Sequence, residues 1–121
     1  MYNTNFITTL NCCQIILPKM KQIGWGRIIN MGAQTAIKGM PLMGPYCTSK
    51  SAVHTLTKVI GLENAGGNIT CNAILPGIIN TKQNLQLMPD ANHKNWTSPL
   101  KIAKKIESLI LSPNNGQLIE V

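Results

Sequence analysis

The chain has 121 residues, 44% of them hydrophobic and 12% charged, with eleven Lys and Arg against four Asp and Glu for a formal net charge of +7. That describes one globular domain over residues 1–121, long enough to bury about two thirds of its unfolded surface without disulfides or metal. Several classes are excluded: no run approaches the ~18 apolar residues of a membrane span, Cys12, Cys13, Cys47 and Cys71 form no C-x-x-C pair or zinc-like spacing, and basic residues spread from Lys19 to Lys105 beside only five aromatics do not make a nucleic-acid surface. The expectation is a cytoplasmic protein with free thiols, no metal, no membrane and no nucleic-acid partner.

Residues 5–21 place Phe6, Leu10, Cys13, Leu17 and Met20 at three- and four-residue spacing, one apolar stripe of a helix whose last turn Pro18 bends or tightens. After the turn Gly24-Trp25-Gly26, the short β-branched run 27–31 suits a buried strand. Gly32 opens a loop that runs to Pro45. From Tyr46, the residues Ala52, Val53, Leu56, Val59 and Ile60 recur at helical spacing until Asn64 and Gly66-Gly67 end the helix, 46–64. Ile69–Leu75 reads as a second strand closed by Pro76-Gly77, and 80–97 as a mobile polar loop with a short helix. Ser98 caps and Pro99 opens a third long helix with Ile102, Ile106, Leu109 and Ile110 on its buried side, and 117–121 makes a last strand.

Alternation of this kind implies an α/β fold, a parallel sheet of three strands with three long helices on its faces. Right-handed crossovers set the strands side by side. A doubly wound dinucleotide fold is built from two such halves and this chain supplies one, so the strand at 27–31 is an open edge and a site of association.

Tyr46 and Lys50 lie four apart at the start of the strongest helix, so their side chains emerge on one face. A tyrosine titrates near 10 unperturbed, and a neighbouring ammonium favours its phenolate, which suits proton transfer. By itself Y-x-x-x-K is a weak signal.

The context is stronger. The string GRIINMGAQTAIKGMPLMGPYCTSKSAVHTLTKVIGLE, followed by ITCNAILPGIINT, resembles the short-chain dehydrogenase/reductase family across its strand, catalytic loop, helix and next strand. The resemblance implies the C-terminal half of a Rossmann-type domain, an oxidoreductase using NAD or NADP on a small-molecule substrate, and a catalytic tetrad at Asn5, Ala33, Tyr46 and Lys50. It makes Tyr46 the general acid or base, Lys50 the group that lowers its pKa and holds the nicotinamide ribose, and Asn5 the residue that orders a relay water. Pro76, Gly77, Ile78 and Thr81 resemble the segment that lies against the nicotinamide. It also implies homo-oligomerisation through helices 5–21 and 46–64, or complementation by an N-terminal half.

Two departures qualify this. The third tetrad position, normally a serine that holds the substrate carbonyl, is Ala33, with Thr35 the nearest hydroxyl. Loss of one such donor costs about 10²–10³ in rate. The dihydropteridine reductase branch also carries alanine there, and a stretch like Met88-Pro89-Asp90-Ala91 leading to Trp96-Thr97, which implies a quinonoid pterin as the hydride acceptor. The second departure is that no G-x-x-x-G-x-G occurs in the chain, so the amides that cradle the cofactor pyrophosphate are missing and dinucleotide binding is expected to be weak. His93 and Trp96 are candidate substrate-loop residues, and His54 reads as a surface or helix-contact histidine. The alternative is a half-domain that no longer catalyses and persists as an association module, its surface being the open edge and the two helices, or as a gene remnant.

Overall fold

A computed structural model describes all 121 residues. The first helix, α1 (Thr8–Ile23), is entered through a π-helical turn at Asn3–Ile7 and carries Pro18 in its interior. It runs past the expected end at residue 21 to Gly24, whose left-handed φ of 82° lets its N–H return to the Met20 carbonyl at 2.8 Å. Strand β1 (Gly26–Met31) follows. The segment expected to be loop up to Pro45 contains a four-residue helix, α2 (Thr35–Lys38), and the long helix α3 (Gly44–Glu63) begins two residues earlier than the sequence pattern suggests, with Pro45 in its first turn. Strand β2 (Ile69–Leu75) has all seven residues buried. A short helix α4 (Lys82–Leu87), a 3₁₀ turn at His93–Asn95, helix α5 (Pro99–Ile110) and strand β3 (Leu118–Glu120) complete the chain.

The sheet is parallel in the order β1-β2-β3, with Gly26 opposite Ile69 and Ala73 opposite Leu118, so the alternation of elements is expressed as half of a Rossmann-type sheet. One face carries Ile28 and Cys71 against Cys13 of α1 and Ile60 of α3. On that face the buried Asn30 amide donates to Thr57 Oγ1 at 3.0 Å. The other face belongs to α5: Arg27 Nε donates to the Ile110 carbonyl at 3.1 Å and Asn72 Nδ2 to Asn114 O just beyond the helix. Both crossovers step the same way across the sheet, yet their helices lie on opposite faces, so they cannot share a hand. The expectation of uniformly right-handed links therefore fails for one, because the long segment 76–98 gives the chain room to reach the far face.

Two helix stripes differ from the apolar pattern. On α3, Val59 is 43% exposed while His54 and Thr57 occupy the buried stripe with Val53 and Ile60. On α5, Ile102 and Leu109 are buried but Ile110 is 40% exposed. The loop after β2 is pinned at its base: Thr97 N donates to Ile78 O at 2.9 Å, Asn80 N donates to Thr97 O at 2.8 Å, and Thr97 Oγ1 reaches Val121 O. No helix is long and apolar enough to cross a membrane.

Candidate active site

The carboxyl ends of β1 and β2 are where a parallel sheet presents ligands. Chain reversal after β1 places Ala33, and reversal after β2 places Pro76, Gly77 and Ile78, around one cleft of about 510 Å³ that Tyr46 enters from the first turn of α3. Gln34, Thr35, Met43, Asn84 and Met88 complete most of the lining, and no side chain in it is charged. Ala33 is 4% exposed and brings no hydroxyl; Thr35, two residues on, does line the cleft.

Lys50 sits one helical turn after Tyr46 but faces a different space. Its Nζ donates to the Met31 carbonyl at 2.9 Å, and it lines a groove of about 350 Å³ between α1 and the outer edge of β1, together with Asn5. The expected effect on the phenol is therefore not seen: burial pushes Tyr46 above its ordinary value of 10, with neighbouring Cys47 adding to the rise. Burial also lowers the Lys50 ammonium. Asn5, the residue to which the resemblance gives a relay water, donates from Nδ2 to Ser49 Oγ at 3.0 Å, and its backbone carbonyl accepts the Thr9 hydroxyl at 2.9 Å.

Two residues important to this geometry, Ser49 and Asn84, were not singled out by pattern. Ser49 is 1% exposed and links Asn5 to the start of α3, its hydroxyl donating to Tyr46 O at 2.9 Å. The signal available was position, three residues after Tyr46 on one helix face. Asn84 and Met88 reach the cleft from α4 and the residue after it, which no local spacing predicts. His54 is not a surface histidine: it is 5% exposed and its Nε2 accepts the Ala33 N–H at 3.1 Å.

Thr81, His93 and Trp96 are not among the residues that line the cleft. Thr81 caps α4, its hydroxyl accepting from Asn84 N at 3.2 Å. His93 and Trp96 pack on each other with ring centroids 4.6 Å apart. No three His, Cys, Asp or Glu side chains converge anywhere in the chain.

Comparison with known proteins agrees with this architecture. Residues 1–92 match the family model described as short chain dehydrogenase. The chain is 37% identical over 87 residues to nodulation protein G of Azospirillum brasilense, an alignment covering 72% of this chain and 35% of that protein. It is 40% identical over 74 residues to a 7α-hydroxysteroid dehydrogenase of Clostridium sardiniense, covering 61% and 28%. The structure of ElxO with NADP bound superposes with a TM-score of 0.85 at 27% identity over 97% of this chain and 53% of that one. The chain thus spans about half the length of its structural neighbour and about a third of those curated relatives. With more than half of its residues inside the family model and its sheet and helices in the matching arrangement, the chain belongs to the short-chain dehydrogenase family.

Proposed function

We propose that residues 1–121 form the catalytic half of a Rossmann-type domain, serving NAD(P)-dependent hydride transfer to an uncharged carbonyl or to a quinonoid pterin. The observation that carries the reading is that one cleft holds the Tyr46 phenol beside Ala33 and the Pro76-Gly77-Ile78 segment, with Lys50 a turn away. The donor set fits the nicotinamide and its ribose: a phenol, an ammonium and a small-residue segment with no opposing charge. It does not fit the pyrophosphate, because the chain has no glycine-rich turn. A bound nicotinamide would supply the hydride.

The chain's own part is proton supply and orientation. Burial keeps the Tyr46 phenol protonated through the neutral range, so Tyr46 is the acid that protonates the reduced substrate. Lys50, whose Nζ now donates to the Met31 carbonyl, would hold the ribose, while Asn5 and Ser49 set the first turn of α3. Pro76, Gly77 and Ile78 would lie against the nicotinamide, with Thr81 beyond them in the same segment and capping α4. Ala33 favours the pterin, whose reduction does not depend on a serine-held carbonyl. Gln34 and Asn84 each spend an amide N–H on a backbone carbonyl, which leaves a side-chain oxygen to accept from a heterocycle. His93 and Trp96 act on this substrate only by shaping the loop behind α4.

Nicotinamide mononucleotide, which carries the ring, the ribose and one phosphate but no pyrophosphate or adenosine, is the matching probe. Titrated into the ¹⁵N-labelled chain, it should move the amide signals of Tyr46, Lys50, Gly77 and Ile78, and Lys50→Ala should abolish the shifts. Shifts elsewhere, or unchanged in Lys50→Ala, overturn the site. NADH should bind little better than the mononucleotide, and tight stoichiometric NADH binding overturns the claim that this chain is impaired. A second reading, an association module without catalysis, has one observation in its favour: the outer edge of β1 is unpaired beside the groove lined by Asn5, Ile29 and Lys50.

A further inference from the structure

The wall of the cleft is anchored from beneath by an imidazole. His54 is 5% exposed, and the N–H of the equally buried Ala33 donates to its Nε2 at 3.1 Å. The contact needs a glycine next door: a Cβ on Gly32 would stand 2.3 Å from Nε2 and 2.6 Å from Cδ2. The backbone N–H groups on either side are tied to the end of β2, Gly32 N to Ile74 O at 2.8 Å and Gln34 N to Pro76 O at 3.3 Å, while the Ala33 and Gln34 carbonyls accept from Ala36 N and Ile37 N and Gln34 Nε2 donates to Val121 O. Between those two bonds the Ala33 N–H has the imidazole as its partner, and without it a buried donor would be left unpaired.

A ring nitrogen that accepts a hydrogen bond carries no proton, so the ring is neutral with its proton on Nδ1. Protonation converts the acceptor into a donor facing another donor. The charged groups around the ring are Lys50 and Lys58 of its own helix. The loop after β1 presents Gly32 and Ala33, and β2 presents Leu75, none of which titrates. Both ammonium groups and the burial therefore act in one direction, toward the neutral ring.

We propose that His54 is a positioning residue, its neutral imidazole holding the Ala33 backbone and hence the segment 32–35 that forms the cleft wall beside Tyr46. Protonation of the ring releases that segment. The consequence for catalysis rests on the reading of the cleft given above, whereas the hydrogen bond and its titration do not, so the two can fail separately.

The test uses the ligand-free 121-residue chain, ¹⁵N-labelled, as wild type, His54→Gln and His54→Leu. Gln keeps an acceptor near the Nε2 position without titrating; Leu removes it. In wild type the ring ¹⁵N shifts should report an unprotonated Nε2 at neutral pH. The Ala33 amide signal should then move in step with the ring as pH falls. In His54→Leu the Ala33 amide should exchange with solvent about tenfold faster, the factor expected for one lost hydrogen bond, while strand amides such as Asn72 keep their protection. In His54→Gln the Ala33 amide should stay protected and lose its pH dependence. An Ala33 signal indifferent to the His54 titration, a proton on Nε2 at neutral pH, or equal protection in wild type and His54→Leu overturns the proposal. Should His54→Leu not fold, the wild-type titration and His54→Gln decide it.

Discussion

Replacing Gly61 with alanine tests how the last strand is held to the rest of the sheet. Inside a helix alanine is favoured over glycine by about 1 kcal/mol, so propensity alone predicts a gain. The structure predicts the opposite. A Cβ at Gly61 would lie 2.7 Å from Gly116 Cα, 2.9 Å from Gly116 N and 3.1 Å from Asn115 Oδ1. Gly116 cannot easily retreat, because its backbone is left-handed at φ 69° and its N–H donates to Cys71 O at 2.8 Å. Asn115 is held as firmly, Nδ2 donating to Gly61 O at 2.8 Å and Oδ1 accepting from Cys71 N at 2.9 Å. Overpacking of this kind costs about 1–3 kcal/mol, and each strained hydrogen bond adds up to about 1 kcal/mol. After the propensity gain the net loss is about 2 kcal/mol, or roughly 6–10 °C in Tm for a domain of this size. Urea and thermal unfolding followed by far-UV circular dichroism measure it, with Gly44→Ala as control, since a methyl there meets nothing within 4 Å. A midpoint for Gly61→Ala at or above that of wild type refutes the argument. The effect should reach the cleft, because Val121 beyond β3 accepts from Gln34 Nε2 and Thr97 Oγ1.

Further outcomes follow from the same contacts. Ser49→Ala leaves Asn5 Nδ2 without its acceptor at a position 1% exposed and should lower stability by about 1–2 kcal/mol in urea unfolding; an unchanged midpoint counts against the link between Asn5 and α3. The His54 ring is held below its ordinary 6.5 by burial and by the Lys58 and Lys50 ammonium groups. The unfolded chain therefore takes up the proton first, so the stability this ring contributes is complete above the unfolded value and is lost as pH falls through the folded one. Urea midpoints at about pH 7.5 and about pH 5 should diverge in wild type and less so in His54→Gln, and equal divergence sinks the assignment. Cys12 is exposed while Cys13, Cys47 and Cys71 are buried, and burial pushes the Cys71 thiol up to about 12. Iodoacetamide on the native chain should add one carbamidomethyl group by intact mass, and four at equal rates would contradict that burial.

Local pattern determined much of this protein. Apolar runs and turn residues specified strand Ile69–Leu75 without error, and Ser98 and Pro99 marked the start of α5, where the Ser98 hydroxyl accepts from Lys101 N at 3.1 Å. These signals are legible because a cap, a proline or an alternating run acts through neighbours in the chain. The string around Tyr46 and Lys50 likewise carried the family, since spacing on one helix is a local property.

Tertiary structure decided what the two side chains meet. Lys50 turns to the Met31 carbonyl across the sheet edge, and Tyr46 is buried enough that its phenol rises instead of falling, because desolvation depends on neighbours distant in sequence. The face on which α5 packs, the seating of Asn84 and Met88 in the cleft and the pairing of His93 with Trp96 outside its lining were equally out of reach of periodicity. His54 shows the reason most plainly: as a polar residue on a helix it reads as a surface or helix-contact histidine, and only the glycine at 32, brought alongside by the connection from β1 to α3, makes room for it inside against the Ala33 N–H.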